Sequence, residues 1–133
     1  MRLFDFVNKL TTNDIKRVEN HYDIELPQEY KKHILSLNGN SYSGAYIQHP
    51  KYGELDFSRF ISLSKRNKRN IYDIYQKNIE GKKYFPFADT DFGDFYCFDI
   101  ESKQVVLWFH ETGKVITVCH SFESFLEMLT YSN

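Results

Sequence analysis

Apolar residues in the first third of the chain recur at helical spacing. Leu3, Phe6, Val7 and Leu10 fall at i, i+3, i+4 and i+7, the stripe of one helical face. Ile15, Val18 and Tyr22 repeat the pattern after Thr11 and Thr12, either of which suits a helix cap, with Asp14 placed against the positive amino end. These two segments predict a helical hairpin. A third stripe, Tyr30, Ile34 and Leu37, lies between Pro27 and Gly39. Proline fits the first helical position, where its missing N–H has no partner to lose. Glycine permits the left-handed residue that stops a helix.

Beyond Asn40 the period changes. Gly44 to Ile47 reads as a short strand, and Pro50 and Gly53 punctuate a loop. The run Phe57, Phe60, Ile61 and Leu63 fits neither period, which leaves 54–65 unassigned between strand and irregular structure. Ile71, Ile74, Tyr75 and Ile79 restore helical spacing and predict a helix over 66–79, stopped by Gly81. From Tyr84 the pattern is that of a sheet. Pro86 places 84–87 at an edge or a bend. Phe95 to Ile100 carries aromatics on both faces, as a strand covered on both sides does. Short turns at 101–103 and 110–113 lead into strands over 105–109 and 114–119, an antiparallel meander. Ser121 then caps a last helix with Phe122, Phe125, Leu126 and Leu129 on its face. The order predicts an α+β fold, an antiparallel meander with packed helices, as a single domain over 1–133, a length that fills one core.

Composition adds one feature. Twelve Phe and ten Tyr make a core built of rings rather than of Leu and Val. A formal charge of −1 supplies no overall field for nucleic acid or a membrane. No run is long and apolar enough to span a bilayer, and the amino terminus lacks the apolar stretch of a signal peptide, so the expected location is cytoplasmic. Cys97 and Cys119 both fall in predicted strands and are expected to be buried, reduced thiols.

The acidic turn Asp89-Thr90-Asp91-Phe92-Gly93-Asp94 invites a calcium reading, but glycine comes one position early and the twelfth residue is Ile100 instead of glutamate. A magnesium nuclease gathers carboxylates from separated strands around a lysine or histidine, whereas these crowd one turn, where Asp and Gly are ordinary turn formers. The five histidines form no HxH or HExxH pair, and neither cysteine lies in a CxxC. A Cys–His dyad, Cys97 or Cys119 with His110 or His120, stays open on sequence, although mid-strand thiols among apolar neighbours are ordinarily inert. The basic run from Lys65 to Arg69 has no interleaved aromatics and reads as a solvated helix start. No catalytic residue, cofactor or metal site is expected. Surface recognition is the reading the acidic turn retains.

Leu26-Pro27-x-x-Tyr30-Lys31 followed by Leu37-Asn38-Gly39 resembles the signature helix of the SUKH superfamily, whose members include the yeast Smi–Knr cell-wall regulators. Phe87-Ala88-Asp89, Gly93-Asp94-Phe95-Tyr96-Cys97-Phe98-Asp99, Trp108-Phe109-His110 and Ser121-Phe122-x-x-Phe125-Leu126 continue the resemblance in family order over roughly 12–130. Asn40 departs from it, since members often carry a second glycine there. The resemblance implies an α+β domain without catalytic residues. It also implies, for a small bacterial member, an immunity protein that binds and neutralises the toxin domain of a polymorphic toxin, often a nuclease. The alternative is a regulatory or scaffolding domain that binds an endogenous protein. On either reading the partner is a protein, and the chain is expected to be a monomer or weak homodimer. Asp89, Asp91 and Asp94 are the expected charged part of the contact surface, suited to a basic groove. Tyr42, Tyr46 and Tyr52 are either aromatic anchors of that surface or partly buried core.

Overall fold

The computed structural model describes residues 9–42, 44–78 and 83–131. Leu10 is buried, while Leu3, Phe6 and Val7 of the expected first helix, and Ile79 and Gly81 further on, lie outside the described residues. Helix α1, Thr12–Tyr22, opens on a capping box. The Thr11 hydroxyl accepts from the Asp14 N–H at 3.2 Å, and the Asp14 carboxylate accepts from the Thr11 N–H at 2.9 Å. Helix α2, Gln28–Leu37, starts one residue later than expected. Pro27 is its cap, and the Pro27 carbonyl accepts the first helical bond from Lys31 at 3.0 Å.

Gly39 follows α2 at φ +73°, and a Cβ there would meet the Asn67 amide nitrogen at 3.2 Å. Gly39→Val is therefore expected to lower stability by about 1–2 kcal/mol, because a β-branched residue is strained at that dihedral. Urea denaturation of the variant checks this, and an unchanged midpoint would contradict it.

Two antiparallel sheets follow. The smaller has the order β2-β1-β8, from Gly53–Asp56, Tyr46–His49 and Leu129–Thr130. The larger has the order β3-β4-β5-β6-β7, from Arg59–Phe60, Tyr84–Asp89, Phe95–Asp99, Val105–Trp108 and Val115–Cys119. The meander is as the turn spacing predicts, with β3 added at its edge. The unassigned stretch 54–65 is thus both things, two short strands and then an irregular connection, with Phe57 between the strands, Phe60 in β3, and Ile61 and Leu63 beyond it all buried. Proline is accommodated in β4 because β3 pairs only with Ala88 and Asp89, and the register against β5 shifts between Pro86 and Ala88. Helix α3 is Ile71–Asn78, beginning at 71 instead of the expected 66. Residues 66–70 turn instead, and the Asn70 side chain accepts from the Asp73 N–H at 3.2 Å at the head of the helix. Helix α4, Phe122–Met128, is capped by Ser121 as expected.

The core is a lattice of rings. Tyr30 of α2 meets Phe98 of β5 at 5.0 Å and Phe122 of α4 at 5.2 Å between centroids. Phe87 of β4 stacks on Phe98 at 4.4 Å and meets Phe125 edge-on at 5.0 Å. These rings join α2 and α4 to the middle of the large sheet. The Tyr30 hydroxyl is buried and has no hydrogen-bond partner among the described residues. Tyr30→Phe is expected to change stability by less than about 1 kcal/mol, since the ring stays and an unpaired polar atom goes. Thermal unfolding checks this, and a loss well beyond that size would assign the hydroxyl a partner.

Candidate functional site

The acidic turn joins β4 to β5 and is built by its own backbone. The Thr90 N–H donates to the Asp94 carbonyl at 3.0 Å, and the Gly93 N–H to the Thr90 carbonyl at 3.3 Å. The Thr90 hydroxyl accepts from the N–H of Phe92 at 3.3 Å and of Asp94 at 3.1 Å. Gly93 sits at φ +88°, which an L side chain rarely adopts. Two further contacts moor the turn to its neighbours. The Asp91 N–H donates to the Asp56 carboxylate of β2 at 2.7 Å, and the Asp94 carboxylate accepts from both the N–H and Nδ1 of His110 at 3.1 and 2.8 Å.

This construction disperses the three acids expected to act together. Asp89 does not belong to the turn: it ends β4 and is only 2% exposed. Arg69 reaches its carboxylate at 2.8 Å and Arg59 lies 3.8 Å away. Burial pushes the Asp89 carboxyl above its ordinary range and outweighs the two arginines, which pull it down. Asp94 is half-buried and engaged by His110. Asp91 alone of the three is an exposed acid.

At the turn's apex stands Phe92, 72% exposed, the most exposed of the large hydrophobic residues among those described. Beside it the β6–β7 turn closes a cavity of about 430 Å³ lined by Phe92, Asp94, Phe109, His110, Lys114 and Ile116, with Glu111 at its edge. An exposed ring on a braced turn, next to a part-apolar cavity, is the anatomy of an interface anchor. The sequence signal for it was the aromatic residue between Asp91 and Gly93, overshadowed by the acids on either side.

The tyrosines separate. Tyr42 is half-buried, 4.8 Å from the Tyr131 ring and 6.3 Å from both Phe57 and Phe60. Tyr46 is half-buried in β1 opposite Asp56, the residue that receives Asp91, so it lies at the acidic-turn end of the small hairpin. Tyr52 is exposed at the opposite end, about 10–13 Å along the strands. Its ring lies 4.9 Å from His49. His49 Nδ1 accepts from the N–H groups of Lys51 and Tyr52 at 3.0 and 3.1 Å, so Nε2 carries the proton and donates to the Val118 carbonyl at 3.0 Å. The ring thereby fastens the β1–β2 turn to β7.

The thiols differ from each other. Cys97 is fully buried, and burial pushes its thiol well above the ordinary range. Cys119, expected to be buried too, is only half-buried, because β7 is an edge strand, and its thiol is pushed up to about 11. Cys97 is expected to resist alkylation in the native protein and Cys119 to react slowly, as measured by mass spectrometry over time; rapid labelling of Cys97 would contradict its burial. Among the described residues no cluster of three His, Cys, Asp or Glu side chains is placed to hold a metal ion. Nor is any described helix long and apolar enough to cross a membrane.

Helices packed on an antiparallel meander, beside a small second antiparallel sheet, make an α+β domain consistent with the SUKH class. The SMI1/KNR4 family profile (SUKH-1) matches residues 9–128, and the chain belongs to that family. No curated protein and no solved structure matches it.

Proposed function

We propose that this chain is a non-catalytic immunity protein that acts as one unit in the cytoplasm, binding and neutralising a cognate toxin domain through the surface around Phe92. Family membership supports a domain of immunity type. The observation that carries the reading is the exposed Phe92 on a turn whose backbone is already hydrogen-bonded, so that docking orders little that is free. Asp91 and Glu111 give its rim acidic character, complementary to a basic groove such as that of a nuclease. Asp91 speeds encounter, while Phe92 and the adjoining cavity supply affinity. Tyr46 borders this surface. Asp89 serves the fold beneath it.

Co-expression with the toxin domain encoded beside it tests the reading. The expected result is rescue of growth and a one-to-one complex on gel filtration. Growth arrest despite soluble expression of both proteins would overturn the reading. So would rescue through catalytic turnover of the toxin's product.

A further inference from the structure

A second cleft shares no lining residue with the cavity beside Phe92 and has the opposite charge. Its volume is about 950 Å³, and Lys9, Arg59, Arg66, Lys68 and Arg69 line it, with the Asn38–Asn40 turn on one side. Among the described residues no carboxylate lines it. The acids that balance part of this charge stand behind the wall, buried: Asp14 takes Arg66 at 3.0 Å and Arg17 at 3.2 Å, and Asp89 takes Arg69 at 2.8 Å. Two carboxylates against the five lining cations and Arg17 leave the cleft positive on a chain of net charge −1.

The arginines are held, not merely present. Arg66 is fixed a second time by the Lys9 carbonyl at 3.3 Å. Each guanidinium carries five N–H donors in a rigid plane, and these ion pairs occupy only some of them. Among the described residues the Arg59 Nε has no acceptor, its carboxylate neighbour standing 3.8 Å away, but that atom is buried and faces no ligand. The forks the wall presents are those of Arg66 and Arg69, part-exposed and only partly used by their ion pairs, the geometry that binds tetrahedral oxyanions with two donors at once. The volume exceeds that of a single phosphate. Among the described residues of the lining Phe60 is the one aromatic, and it is fully buried, so none of them offers a ring for a base to stack on.

We propose that this cleft is a binding site for an oligophosphate, the linked phosphate groups of a small molecule, gripped by Arg66 and Arg69 with Lys9 and Lys68 at the mouth. The site is independent of the toxin-facing surface. The probe is inorganic tripolyphosphate, titrated calorimetrically into the whole protein at physiological salt. Saturable one-to-one binding is expected. Replacing Arg66 or Arg69 uncovers a buried acid and endangers the fold, so the test uses Lys68→Gln with Lys9→Gln, which leaves every ion pair to Asp14 and Asp89 in place. This double variant is expected to bind about tenfold more weakly, the scale of losing one or two charge-assisted contacts. Three results overturn the proposal: no saturable binding at millimolar probe, an unchanged affinity in the double variant, or single-stranded oligonucleotides that bind more tightly than tripolyphosphate and tighten further with length. The last would mark a general polyanion surface.

Discussion

Phe87→Ala is expected to remove about 3–5 kcal/mol of folding free energy, the scale for emptying a fully buried aromatic site. Phe87 is wholly buried and its ring contacts those of Tyr30, Tyr96, Phe98, Phe122 and Phe125. Those neighbours come from two helices and the adjoining strand β5, so the vacancy falls where the layers meet and no single element can collapse into it. Its backbone is also committed: the Phe87 carbonyl accepts from Ile61 at 2.9 Å, holding the irregular connection after β3. A loss of this size approaches the whole stability of many domains. The variant should unfold at a much lower urea concentration or be recovered only in aggregates. A cost under about 1.5 kcal/mol would mean that the lattice repacks, contrary to the interlocked geometry.

Phe92→Ala should do the reverse. With 72% of its surface already in water, the ring contributes little to the fold, and the urea midpoint should stay within about 0.5 kcal/mol of the parent. Affinity for the toxin domain, however, should fall by about 2–4 kcal/mol, or roughly thirty- to a thousandfold, the range for a central aromatic anchor. Asp91→Asn is the companion measurement: it should slow association modestly and flatten its salt dependence while leaving dissociation nearly unchanged. Surface plasmon resonance separates the two effects. If Phe92→Ala leaves the dissociation rate untouched, the contact lies elsewhere on the molecule.

Local signals carried much of the fold. Thr11 with Asp14, Ser121, and the bracket of Pro27 and Gly39 act within a few residues of themselves, and each marks its helix to within a residue or so. The turns at 101–103 and 110–113 place the meander because a two-strand hairpin is also a local object. What the residues did not reveal depends on partners distant in sequence. Asp89 reads as a turn acid. It becomes a buried strand residue because Arg59 and Arg69, 30 and 20 residues before it, converge on its carboxylate. The run from Lys65 to Arg69 reads as a solvated helix start for the same reason, since Arg66 finds Asp14 across 52 residues of chain. Hydrophobic periodicity carries no information about such pairs. Tyr46 and Tyr52 show the converse: neighbours in sequence that one hairpin sends to its opposite ends.

The bracing of the acidic turn separates what holds its shape from what would touch a partner. Thr90, Gly93 and the carboxylates of Asp56 and Asp94 hold the loop through backbone groups and His110, and none of these bonds involves the side chain at position 92. The side chains of residues 91 and 92 are therefore replaceable without loss of the scaffold, as is that of Glu111, exposed across the cavity, whereas the Thr112 hydroxyl accepts from the Lys114 N–H at 3.2 Å and is kept. A library randomised at these three positions should express as folded protein across most of its members. Selection against different toxins would then act on recognition alone. An immunity protein of the kind proposed would exchange one target for another through a handful of codon changes, with its aromatic interior left as it is.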